Sequence, residues 1–183
     1  MDSKRLVEWQ KKGYLKKLIN KWYLFAEVPV TELLLYRISN CLQQPSYVSL
    51  QSAMAYYNLI PEGVYIQQAI STRKTVQYET PVGTFQYRTL SPSHYFGYSI
   101  LQTNSFPVLM AEIEKALLDY LYLSAHVKTI HDLEAMRLNL AELHRQLDWE
   151  KMFHYAEVFA SQTLHKRIIL LQKMMLHARL DGN

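Results

Sequence analysis

Residues 45–63 read PSYVSLQSAMAYYNLIPEG and hold the densest run of local structural signals in this 183-residue chain. Ser46 or Ser49 is suited to cap a helix, because a hydroxyl accepts a bond from an unpaired first-turn N–H. Leu50, Ala53, Met54 and Tyr57 then recur at helical spacing and share one apolar face. Asn58 is a C-terminal stop, and Pro61 disfavours helical geometry at Ile60. The stretch predicts a short amphipathic helix packed on a core. Nothing in it is catalytic by chemistry.

Downstream of Gly63 the period changes from helical to strand-like. Residues 64–71, 75–80, 84–90 and 95–103 are β-rich runs separated by turn residues, and 106–110 reads as a further strand. Val76, Tyr78, Phe85 and Tyr87 alternate across the turn at Thr80, Pro81, Val82 and Gly83, so a largely antiparallel sheet is expected. Upstream, Thr31 caps a helix over 29–42 with Leu34, Leu35, Ile38 and Leu42 on one face. Before it come a helix over 3–12 ending at Gly13, and two short strands over 14–27 around a turn at Asn20 and Lys21.

The C-terminal part reads as helices. Over 111–123 the expected buried face is Ile113, Ala116, Leu117, Tyr120 and Leu121, while Lys115 and Asp119 pair four residues apart. A single helix is expected over 129–147 from Leu133, Met136, Leu140, Leu143 and Leu147. Asp148 caps the next, carrying Met152, Phe153, Ala156 and Phe159. A last helix over 161–179 has Leu164, Ile168, Leu171, Met175 and Ala178 on one stripe. The fold class is α+β.

Hydrophobic residues make up 49 % and charged residues 20 %, enough for a folded core in one domain with a small appendage. No apolar run approaches the roughly 18–20 residues that span a bilayer, and the basic N-terminus lacks the apolar core of a signal peptide. The single cysteine, Cys41, cannot form an internal disulfide. These features imply a cytoplasmic protein without membrane partners. The net charge of +4 is uneven: residues 1–25 carry seven cations against two acids, and the remainder nets −1. Such a block is an electrostatic footprint for a polyanion or a solvated, lysine-protected edge.

Chemistry-bearing patterns are scarce. No glycine-rich phosphate loop or GxSxG elbow occurs. His94, His126, His131, His144, His154, His165 and His177 contain no i, i+4 pair, so no metal and no cofactor are expected. Glu112, Glu114, Lys115 and Asp119 superficially match a carboxylate–lysine nuclease cluster, but an ordinary ion-pair ladder along one helix is the better reading. Tyr47, Tyr56, Tyr57, Tyr65, Tyr78, Tyr87, Tyr95 and Tyr98 are either a base-stacking platform or, better, half-buried sheet residues with hydroxyls at the surface.

Four blocks in order carry a family resemblance: PSYVSLQSAMAYYNLIPEG, YETPVGTFQYRTL, HYFGYSI and MAEIEKALLDYLYL. With Lys12, Gly13, Tyr14 and Leu15 running on to Tyr23, the chain from about 4 to 124 resembles the AbiEi-like antitoxins of type IV abortive-infection toxin–antitoxin systems. The resemblance implies a non-catalytic transcriptional autoregulator. Such a protein binds inverted repeats in promoter DNA through a winged helix-turn-helix and counters a nucleotidyltransferase-like toxin. By position, the recognition helix is 4–12 and the wing 14–25. Lys4, Arg5, Lys11 and Lys12 then face DNA, with Lys16, Lys17 and Lys21 on phosphates. Only Met1 and Asp2 precede Ser3, so a shortened winged helix is implied. The resulting division is a partial winged-helix element over 1–28, a central α+β domain over 29–124 and C-terminal helices over 125–183. Two rival readings stand beside it. One is a protein-interaction module that has lost DNA binding and uses the C-terminal helices to form a homodimer or to grip another partner. The other is an enzyme such as a transferase.

Overall fold

The computed structural model describes residues 3–61, 63–103 and 105–181. The chain opens with helix α1 (Ser3–Lys11) and the hairpin β1 (Leu15–Ile19) and β2 (Trp22–Phe25). Helix α2 (Glu32–Leu42), strand β3 (Ser46–Val48) and helix α3 (Leu50–Tyr56) follow. Strands β4 (Ile66–Ser71), β5 (Val76–Thr80), β6 (Gly83–Thr89), β7 (Tyr98–Gln102) and β8 (Pro107–Ala111) complete the sheet. The remainder is helical: α4 (Ile113–Leu123), α5 (Ile130–Glu134), α6 (Leu140–Gln146), α7 (Trp149–Phe159) and α8 (Gln162–Asp181). This is the expected α+β class.

The central sheet has the order β5-β6-β4-β3-β8-β7. Its β4–β6 and β3–β8 pairs are parallel, and the β5–β6, β3–β4 and β7–β8 pairs are antiparallel. The sheet is therefore mixed rather than largely antiparallel. The two parallel pairs have different origins: β3 and β8 lie far apart in sequence, whereas β4 and β6 run parallel because the intervening β5 turns back and pairs antiparallel on the far side of β6. Strand periodicity carries no information about such crossovers.

One sheet face packs on α4, α7 and α8, with Tyr47, Ile70, Leu117, Met152, Ile168 and Leu171 in one continuous core. The other face builds a smaller core from Leu18 of the hairpin, Ile38 and Leu42 of α2, and Ala69, Phe85 and Tyr87 of the sheet. The N-terminal hairpin is thus part of the fold, held at the β5–β6 end by Leu18, Ile19 and Leu24.

Two expectations fail locally for identifiable reasons. Residues 46–48 are not the approach to a helix but the short central strand β3, buried throughout. Three residues are too few to show alternation, and its serine resembled a cap. The expected helix over 129–147 is broken into α5 and α6. Arg137 takes a left-handed φ of 52°. Asn139 donates its N–H to Leu59 O at 2.8 Å and caps α6 by accepting from Glu142 N at 3.2 Å. An asparagine is a better cap than a helix-interior residue, so the leucine spacing survives while the helix does not.

Candidate functional site

The N-terminal unit is a helix, a glycine and a hairpin. Lys12 N and Gly13 N close the end of α1 on Glu8 O and Gln10 O. Gly13 then turns the chain at φ +75°, with open space where a Cβ would sit. At about 100° per residue, Lys4, Arg5, Lys11 and Lys12 fall within roughly a third of the helix circumference, and all four are exposed. Glu8 lies inside that arc and pairs with Lys12 at 2.7 Å.

The hairpin divides its lysines. Adjacent strand residues point to opposite faces, and Lys16 sits opposite Leu24 while Lys17 sits opposite Tyr23. Leu24 packs on the smaller core, so Lys16, half-buried, lies on the inward face. Lys17 is on the other face, and Lys21, at φ 68°, is exposed in the turn. The structure thus brings six of the seven expected cations to outer surfaces and leaves Lys16 toward the fold. Beside them runs a groove of about 400 Å³ lined by Trp9, Gly13, Tyr14, Phe25, Ala26 and Glu27. Tyr14 and Phe25 there are 59 % and 52 % exposed.

The other concentration of charge is internal. Lys115 and Asp119, expected as part of a surface ladder, have no exposed surface at all. Lys115 Nζ donates to Asp119 Oδ1 and, at 2.7 Å, to Tyr47 Oη. Asp119 Oδ2 accepts from Tyr47 Oη at 3.0 Å and from Ser49 Oγ at 2.8 Å. The rings of Tyr47, Phe96 and Phe159 surround the ammonium at 5.1–5.3 Å. Burial pushes the Lys115 pKa down and the Asp119 pKa up, with their mutual attraction opposing both shifts. Burial likewise raises the Tyr47 phenol, and the Asp119 carboxylate adds to the rise.

This centre ties β3 to α4. It also explains why Ser49, at the N-terminal end of α3, makes no capping bond: its hydroxyl is committed to Asp119. Fully enclosed, the lysine is not accessible to a substrate. Next to it, Gly97 passes so close to α4 and α7 that a Cβ would stand 2.9 Å from Tyr155 Cε2 and 3.1 Å from Lys115 Cβ.

Glu112 and Glu114 belong to a separate arrangement. Lys151 of α7 bridges them at 3.0 and 3.2 Å. Tyr155 Oη donates to Glu112 at 2.6 Å, and Asp148 N donates to Glu114 at 3.0 Å. Burial works against the Glu112 carboxylate, yet the bonds from Tyr155 and Lys151 hold its pKa below the usual range. The four residues that resembled a nuclease cluster are therefore split between two structural anchors. The signal for the buried pair was present: Lys115 and Asp119 are embedded in KALLDYLYL, where every nearby turn of α4 is apolar.

The tyrosines are not a stacking platform. Tyr47 and Tyr87 are fully buried, with hydroxyls on Asp119 and Ser39 O. Tyr57 donates to Ala111 O and Tyr78 to Gln43, and Tyr98 stacks on Tyr47. Of this group Tyr65 alone is almost fully exposed, at 93 %. Among the described residues no group of three or more His, Cys, Asp or Glu is placed to hold a metal ion, and no helix is long and apolar enough to cross a membrane. No family model matches the chain, and no characterised protein matches it in sequence.

Proposed function

We propose that this chain is an AbiEi-like antitoxin and transcriptional autoregulator of a toxin–antitoxin operon, without catalysis of its own. It works in the cytoplasm, binds inverted repeats in promoter DNA and is linked functionally to a nucleotidyltransferase-like toxin. The observation that supports this reading is the exposed arc of Lys4, Arg5 and Lys11 on α1 and Lys12 just past its end, adjoining the exposed Lys17 and Lys21 of the hairpin. A helix of this kind suits a major groove, and a hairpin beside it suits phosphate.

The test is a titration of the full chain against the DNA upstream of its own gene at several salt concentrations. Binding should weaken steeply with salt, and Lys11→Ala with Lys17→Ala should flatten the log–log slope by about 0.9 for each phosphate no longer neutralised. Lys16→Ala, on the inward hairpin face, should leave the slope unchanged. Absence of binding at low salt would refute the reading. The exposed groove at Trp9, Tyr14 and Phe25 favours a second reading, in which the N-terminal unit docks on protein rather than DNA.

A further inference from the structure

Strand β7 ends the central sheet opposite the hairpin, and its outer side is unpaired among the described residues. The phase of its backbone follows from β8. Leu109, opposite Ile100, spends both its N–H and its C=O on the side chain of Asn40, at 2.8 and 3.2 Å. Pro107, opposite Gln102, has no N–H, and its C=O accepts from Arg37 at 3.3 Å. Ala111, opposite Tyr98, gives its C=O to Tyr57 Oη at 3.0 Å. On the other phase, Glu112 N donates back to Gly97 O at 3.0 Å. In an antiparallel ladder these alternate, so Tyr98, Ile100 and Gln102 aim their own N–H and C=O groups outward. No other described element bonds to them.

Edge strands are normally protected by charge, proline or a covering element. The opposite edge, β5, is so protected: it carries Glu79, and the β1–β2 hairpin packs beside it. Strand β7, sequence YSILQ, has neither charge nor proline, and Ile100 at its centre is 55 % exposed.

We propose that the chain forms a two-fold homodimer by antiparallel pairing of β7 with β7 of a second copy, centred on Ile100. The outward-facing groups are symmetric about that residue, so each of Tyr98, Ile100 and Gln102 both donates and accepts across the axis. Ile100 meets Ile100, Tyr98 meets Gln102 of the second copy, and no like charges oppose one another. The two central sheets become one continuous sheet. A five-residue ladder, at about 3.4 Å per residue, is about 17 Å long and does not by itself reach the roughly 1,200 Å² of a standard interface. The dimer is therefore weak and concentration-dependent. The inference does not rest on the DNA-binding reading.

Sedimentation velocity on the full chain, from low micromolar to several hundred micromolar, should show monomer passing to dimer. Amide exchange at Tyr98, Ile100 and Gln102 should slow in step with dimerisation, while that of Val108 and Met110, already inside the sheet, should not change. Ile100→Lys puts two ammonium groups face to face on the axis and should leave a monomer at every concentration. Its melting temperature should match the wild type's at concentrations where both are monomeric. A strict monomer throughout the wild-type range would overturn the proposal. So would a dimer that survives Ile100→Lys with the three amides still exchanging freely, since the contact would then lie elsewhere.

Discussion

Replacing Lys115 with Met should remove a large share of this protein's stability, and the loss should depend on pH in a predictable direction. The substitution keeps an unbranched side chain of similar length but removes the ammonium from a site with no exposed surface. Asp119 is left buried, with only the Tyr47 and Ser49 hydroxyls donating to it. Breaking a buried pair this way costs about 3–5 kcal/mol, a substantial fraction of the roughly 5–15 kcal/mol that holds a domain folded. In the wild type the pair holds one proton between its members, whether as ammonium and carboxylate or as amine and acid. The unfolded chain also holds one there between about pH 5 and 9. The intact pair therefore adds no pH slope in that window. Without Lys115, burial raises Asp119 unopposed by its cation. A folded pKa above the unfolded value of about 3.9 means the folded state binds more protons. Stability must then rise as pH falls, by up to about 1.4 kcal/mol per pH unit, until the unfolded carboxyl is also protonated. Chemical denaturation at pH 5, 6, 7 and 8, read by tryptophan fluorescence, measures this directly. The triple change Lys115→Met, Asp119→Leu and Tyr47→Phe removes all three partners and should recover most of the loss and the slope. A single variant that loses less than about 1 kcal/mol, or that weakens on acidification from pH 8 to 5, would refute a closed ionic centre.

Two further outcomes follow from the same packing. Gly97→Ala meets both a φ of +69° and a Cβ 2.9 Å from Tyr155, so thermal denaturation should show a loss of about 1–3 kcal/mol, while an unchanged melting temperature would mean that segment moves freely away from α4. Asn40→Ala should cost about 1–3 kcal/mol, because it strands the Leu109 N–H inside the fold, and hydrogen exchange at Leu109 should quicken by more than the global change requires.

Much of this architecture was legible from local pattern. Thr31 caps α2 through Leu34 N, Asp148 caps α7 through Lys151 N, and Gly13 and the turn at Lys21 set the N-terminal unit. These are short-range decisions, made by residues within one turn of each other. What was hidden is long-range. Strand β3 owes its place to neighbours on both sides, β4 and β8, and its own three residues do not announce it. The burial of Lys115 was misread for a related reason. An i, i+4 pair is most often a surface feature; the apolar turns of KALLDYLYL signalled burial, but the enclosure itself comes from Tyr47, Phe96 and Phe159, which arrive from three other parts of the chain.

The two proposals constrain each other through geometry. The basic unit is seated at the β5–β6 end of the sheet, and β7 is the opposite edge. Joining two copies at β7 puts the two β5 strands eleven strand spacings apart, about 50 Å at roughly 4.8 Å per spacing. Half-sites one helical turn apart on DNA are separated by only about 34 Å. A β7-paired dimer therefore reaches inverted repeats whose centres lie well beyond one turn, and it excludes a tight palindrome read by both copies at once. Footprinting the upstream DNA at concentrations above the dimer transition measures that separation. Two protected half-sites centred about 10 base pairs apart, occupied together by one dimer that Ile100→Lys abolishes, would be irreconcilable with the pairing of the two sheets at this edge.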